Sequence, residues 1–129
     1  MADSEGKILI VEDDPRVASL LQRQLEQAGY ESVLAGTGVA ALQVAETIPL
    51  ALVILDVKLP EMSGFEVCRR LRQLYHPWAL PVLMLTGLVQ PLDQLRGFAH
   101  GADAYVTKPY TWDALRSTIE HLLGHEAVS

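Results

Sequence analysis

The chain has 129 residues, half of them hydrophobic and a fifth charged, with a net charge of −6. That length holds one domain with its own core and leaves no room for a second, and the composition excludes a disordered or fibrous chain. The acidic balance argues against direct nucleic-acid binding: Arg69, Arg70 and Arg72 form the one dense basic group, and they read as a solvated helix face.

Apolar runs of strand length recur at nearly even spacing, as ILIV (8–11), ESVLA (31–35), ALVIL (51–55), PVLML (81–85) and AYVT (104–107). The segments between them have helical period. Val17, Leu20, Leu21 and Leu25 make an apolar stripe that closes at Gly29, with Asp14 as the cap and Pro15 at the first helical position. A second helix follows Gly36–Gly38, with Thr37 available as a cap. The third carries Phe65, Cys68 and Leu71, and the fourth carries Leu92, Leu95 and Phe98 before Gly101, with Pro91 at its start. The last begins at Thr111 and runs through Leu115, Ile119 and Leu122. Strands one and three are apolar without alternation, as strands covered by helices on both faces are, so the β-α repeat predicts a doubly wound parallel sheet. Residues 1–6 and 124–129 are expected to be flexible tails around a domain spanning 7–123. No run approaches the ~20 apolar residues of a membrane span and the start MADSEGK lacks the apolar core of a signal peptide, so a cytoplasmic protein is expected. The single cysteine, Cys68, reads as a small core residue.

In an open α/β sheet, ligands bind beyond the carboxyl ends of the strands. Here those ends supply Glu12, Asp13 and Asp14 after the first strand, Asp56 after the third, Thr86 and Gly87 after the fourth, and Lys108 and Pro109 after the fifth. Carboxylates in that place repel a nucleotide or flavin phosphate, whereas oxygen ligands suit a hard cation such as Mg²⁺. Glu12, Asp13 and Asp56 carry −3 together, which one Mg²⁺ and Lys108 would balance.

The acidic pair in VEDD, the stretch LDVKLPEMSG, the hydroxyl in MLTG and the lysine-proline in GADAYVTKP stand in order at these strand ends. Together they resemble the receiver domains of two-component response regulators over roughly residues 6 to 123. The resemblance implies a flavodoxin-like (βα)5 fold with strand order 2-1-3-4-5. It implies that Asp56 is the phosphoacceptor and that Asp13, Asp56 and the Lys58 backbone carbonyl bind Mg²⁺ directly, with Glu12 acting through water. Asp14 is then a cap. Thr86 and Lys108 contact the phosphoryl oxygens, with Gly87 and Pro109 in the phosphate environment, and Tyr105 is the aromatic that turns inward when Thr86 is drawn toward the phosphate. The Lys108–Pro109 bond is expected to be cis. The implied partners are a sensor histidine kinase or phosphotransfer protein and a downstream effector protein or domain. The surface of helix four, strand five and helix five is then the readout, with a phosphorylation-dependent dimer possible through it.

Lys58 departs from the family, which more often has an apolar or amide residue there; its ammonium is expected either beside the acceptor or paired with Glu12. Ala104 stands where a second acid is frequent, so the dimer signature on that face is incomplete. Two other readings compete. An aspartyl phosphatase resembling haloacid-dehalogenase hydrolases would need an acid where Lys58 stands. A pseudo-receiver would use the same fold unphosphorylated, as a binding module. His76, His100, His121 and His125 share no spacing and receive no role, and Trp78 and Trp112 read as packing or interface.

Overall fold

The computed structural model describes residues 6–75 and 79–124. Five strands and five helices alternate: β1 (Lys7–Val11), α1 (Pro15–Gln27), β2 (Ser32–Ala35), α2 (Gly38–Thr47), β3 (Leu50–Leu55), α3 (Gly64–Leu74), β4 (Val82–Thr86), α4 (Pro91–Ala99), β5 (Ala104–Thr107) and α5 (Trp112–Leu123). The strands form one parallel sheet in the order β2-β1-β3-β4-β5. The order reverses beside β1, so the chain ends of β1 and β3 open into one crevice.

Side chains that alternate along each inner strand serve two separate cores. Leu9, Val11, Val53, Leu55, Val82 and Met84 pack under α2 and α3, against Ala41, Ala45, Phe65, Val67, Cys68 and Leu71. Ile8, Ile10, Leu52, Ile54, Leu83 and Leu85 pack under α1 and α5, against Leu21, Leu25, Leu115 and Ile119. This double coverage is why β1 and β3 read as unbroken apolar runs.

The helix starts follow local chemistry. Asp14 accepts from the Arg16 N–H at 2.9 Å, Thr37 from Ala40 N–H at 3.1 Å and Thr111 from Ala114 N–H at 3.2 Å, and Pro15 and Pro91 open α1 and α4 where no amide hydrogen is needed. Strand bounds differ from the sequence reading by a residue at several ends. β4, for example, runs one residue further because Thr86 pairs with Thr107.

Two expected apolar stripes are not buried throughout. On α1, Leu20 is 49% exposed, and on α4, Leu92, Leu95 and Phe98 are 66%, 65% and 47% exposed. The only buried residue of α4 is Gly97, so this helix lies on β5 through a glycine and turns its leucines to solvent. Of the expected tails, most lies outside the described residues, as do His76, Trp78 and His125. Gly6 packs closely on Leu50 and Ala51 at the start of β3, and Gly124 closes α5 with φ +75°, donating its N–H to His121 O.

Candidate functional site

The sheet itself brings the acidic residues together. The Glu12 N–H bonds Ala35 O at 3.0 Å and the Asp56 N–H bonds Val11 O at 3.0 Å, so both residues leave their strands on the last rungs of the ladder. Carboxylate oxygens of Glu12, Asp13 and Asp56 lie within 4.8 Å of one another; Glu12 and Asp56 are buried and Asp13 is exposed. The turn after β3 is tightened from below. Gly64 N–H donates to Val57 O at 2.8 Å, and a Cβ on Gly64 would stand 2.2 Å from Asp56 O, so only glycine lets α3 start directly against the Asp56 peptide.

Lys108 reaches this cluster from β5. Its N–H donates to Thr86 O at 2.8 Å, fixing it beside the end of β4, and the Lys108–Pro109 peptide is cis. Nζ stands 2.7 Å from Glu12 Oε1 and 3.2 Å from Asp56 Oδ2. Burial pushes the Glu12 carboxyl above its ordinary pKa, outweighing the hydrogen bonds from Lys108 and the Asp14 N–H, and the Asp56 charge adds to the rise. Burial works against the Lys108 charge as well. The hydrogen bond to Glu12 and the charges of Asp56 and Glu12 outweigh it and raise the Lys108 pKa. One ammonium against three carboxylates leaves a negative surplus. An all-oxygen donor set with that surplus fits a hard divalent cation.

Thr86 is fully buried, and its Oγ1 accepts a long bond, 3.4 Å, from Leu88 N–H. Tyr105, half-buried on β5, donates its hydroxyl to Leu88 O at 2.9 Å. Its ring already lies inward beside Met84 and Gly97 while the Asp56 carboxylate is bonded to Lys108, whereas the resemblance implied a ring that turns inward when Thr86 is drawn toward the phosphate. The backbone of Leu88 thus links Thr86 to Tyr105 through its N–H and its carbonyl, a link invisible in the sequence because backbone groups carry it. Gly87 is exposed with open space around its Cα, and Pro109 is exposed.

Lys58 corrects one expectation. The Glu12 partner is Lys108, while the Lys58 side chain points to solvent and forms no ion pair among the described residues. Geometry explains this, since Lys58 lies past the turn and its backbone N–H is drawn to Asp56 Oδ1 at 3.2 Å. A second group escaped sequence reasoning altogether. Arg72 of α3 donates to Gly101 O at 2.8 Å, to Leu80 O at 2.7 Å and to Asp103 Oδ2 at 2.6 Å, and Asp103 Oδ2 also accepts from Val82 N–H. This clamp ties the amino ends of β4 and β5 to α3. It removes Arg72 from the solvated face assigned to it, where Arg69 and Arg70 do lie, both bonded to Glu66.

Residues 8–120 match the family model described as the response regulator receiver domain. The chain is 38% identical over 123 residues to the alkaline phosphatase synthesis transcriptional regulatory protein PhoP of Bacillus subtilis, covering 95% of this chain and 50% of that protein. It is 40% identical over 117 residues to the DNA-binding dual master transcriptional regulator RpaA of Synechocystis, covering 91% and 48%. The chain therefore spans about half the length of these curated relatives. Among solved structures, the CheY-like receiver domain protein of Methanospirillum hungatei superposes with a TM-score of 0.87 at 32% identity, covering 94% of this chain and 95% of that one. The response regulator TrrA of Thermotoga maritima, solved in complex with Mg²⁺ and BeF, superposes at 0.83 with 33% identity over 92% and 99%. Strand order, acidic crevice and matched residues agree, and the chain belongs to the response regulator receiver domains, the phosphorylation-activated signalling modules of two-component systems.

Proposed function

We propose that Asp56 is the phosphoacceptor of this receiver, taking its phosphoryl group from a sensor histidine kinase or a phosphotransfer protein. The observation that carries the assignment is the position of Asp56: it is the buried carboxylate at the switch point of the sheet that Lys108, Glu12 and Asp13 all surround. An oxygen of its carboxylate attacks phosphorus, the bond from phosphorus to the donor breaks with its electron pair leaving on the donor, and an acyl phosphate forms. Glu12, Asp13, Asp56 and the Lys58 backbone carbonyl would hold Mg²⁺. That ion supplies positive charge against the charge spread over the phosphoryl oxygens.

Lys108 supplies the second positive charge. Its two partners are the Glu12 and Asp56 carboxylates, so once Asp56 carries the phosphoryl group its ammonium exchanges the bond to Asp56 Oδ2 for one to a phosphoryl oxygen. Thr86 turns its hydroxyl to another oxygen and gives up the long bond from Leu88 N–H, with Gly87 leaving the space in which the loop moves. Tyr105, held through Leu88, follows Thr86, and the α4-β5-α5 surface changes. The exposed Leu92, Leu95 and Phe98 make that surface suitable for a downstream effector protein or for a second activated copy.

Among the described residues no helix is long and apolar enough to cross a membrane, and we place the module in the cytoplasm, where it binds no nucleic acid itself. Hydrolysis of its own acyl phosphate resets it.

Intact-mass measurement after incubation with acetyl phosphate tests the assignment. One phosphoryl group is expected, dependent on Mg²⁺ and absent in Asp56→Asn. No addition under these conditions would refute it and favour an interaction module used unphosphorylated.

A further inference from the structure

Glycine is the poorest helix former after proline, yet Gly97 stands inside α4 and is its one buried residue. The helix geometry there is ordinary, so backbone freedom does not explain the choice. Space does. A Cβ at this position would stand 2.9 Å from Met84 Sδ and 3.0 and 3.2 Å from Cδ2 and Cε2 of Tyr105, so at least one of these side chains must give way by a few tenths of an ångström. Met84 and Tyr105 are cross-strand partners on β4 and β5, and Gly97 lies over that pair.

Three groups could yield to an added methyl. Met84 is fully buried within the sheet core. The carboxyl end of α4 is pinned: Ala102 N–H donates to Gly97 O at 3.0 Å, Arg72 holds Gly101 O, and the Arg96 guanidinium sits 4.4 Å from the Phe65 ring centre. Tyr105 is half-buried: its ring packs on the core beside Met84 and stands 6.4 Å from the ring of Phe98, itself 47% exposed, and its hydroxyl makes one hydrogen bond, so it has an exposed neighbour to move against. The ring is therefore what moves.

We propose that Gly97 is a positioning residue whose missing side chain is the space that holds the Tyr105 ring inward over Met84. Through the Tyr105 hydroxyl it also holds the Leu88 segment against Thr86. The second step rests on the reading of Thr86 and Tyr105 as the switch pair; the first rests on geometry alone.

The test uses the chain labelled with 3-fluorotyrosine, the Tyr105 resonance being assigned with Tyr105→Phe. In the wild-type protein without phosphorylation, that resonance is expected to show the small H₂O/D₂O isotope shift of a shielded ring. In Gly97→Ala, which helix propensity favours, it is expected to move toward the position and isotope shift of an exposed tyrosine. Gly97→Ser adds the same Cβ and should act alike. On addition of acetyl phosphate and Mg²⁺, the change seen at Tyr105 in the wild type is expected to be lost in both variants. A solvent-exposed Tyr105 in the wild type, or an unmoved resonance in variants with native circular dichroism, would overturn the inference. Ring position is read before phosphorylation, so failure of Asp56 to accept a phosphoryl group would refute the proposed function while leaving the role of Gly97 to be decided by these spectra.

Discussion

Removing the charge of Asp56 should make the fold more stable. Asp56 lies 3.2 Å from Lys108 Nζ, an attraction of about 5 kcal/mol at an effective dielectric of ~20. Against it stand Glu12 and Asp13, with oxygens within 4.8 Å. At that separation each repulsion is about 3.5 kcal/mol on the same scale, and roughly half of that for the exposed Asp13, whose surroundings are closer to water. Attraction and repulsion thus nearly cancel. What remains is the desolvation of a carboxylate left only 7% exposed, a burden that a neutral amide does not carry. Asparagine still offers an oxygen to Lys108 Nζ and to the Lys58 N–H. We expect Asp56→Asn to gain on the order of 1–3 kcal/mol, which for a domain of this size raises Tm by about 3–10 °C. The assay is thermal unfolding followed by circular dichroism in EDTA, repeated across a Mg²⁺ titration. Mg²⁺ at ~100 times its Kd should add about 2.7 kcal/mol to the wild type, and at the same concentrations less to the variant, closing the gap between them. A variant equal to or less stable than the wild type in EDTA would refute the charge accounting.

Three further outcomes follow from the same geometry. The folded-state pKa of Glu12 is raised by burial above its ordinary value of 4.5, so its contribution favours the fold fully below pH 4.5 and is lost as pH rises through the raised value; Glu12→Gln should flatten the Tm-against-pH curve over that interval in Mg²⁺-free buffer, and an unchanged curve would contradict it. Gly64→Ala places a Cβ 2.2 Å from Asp56 O, where backbone must move to admit it, and should cost about 3 kcal/mol by urea unfolding, well above the cost of an ordinary surface change. Lys58 stands at the mouth of the site with its side chain unpaired among the described residues, so Lys58→Met should change the half-life of the acyl phosphate by more than about twofold, or roughly 0.4 kcal/mol in the barrier; equal hydrolysis rates would show that its ammonium never reaches the phosphoryl group.

The alternation of apolar runs with helical segments was enough to predict the doubly wound sheet, because a strand covered on both faces has no polar side to show and a helix covered on one face must show a stripe. The caps at Asp14, Thr37 and Thr111 and the start at Pro91 were legible for the same reason: each bond spans only two or three residues, so local sequence contains both partners. Glu12, Asp13, Asp56, Thr86 and Lys108 could be nominated together, since a parallel sheet delivers all strand ends to one edge. Their pairing could not. That Lys108 and not Lys58 bonds Glu12 depends on how far β5 stands from β1 across the sheet, 96 residues apart in the chain. The same holds for Arg72, which resembles its neighbours Arg69 and Arg70 in sequence but meets Gly101 and Asp103, which the fold brings to it from the turn before β5. The exposed leucines of α4 show the converse case: a stripe is evidence of an amphipathic helix, but which neighbour covers it is a fact about other elements, and here the covering contact is a glycine against a tyrosine ring. Periodicity and turn chemistry are local and survive in one dimension. Charge pairing, close approach and the choice of buried face are distances, and they exist only once the sheet has set its strands side by side.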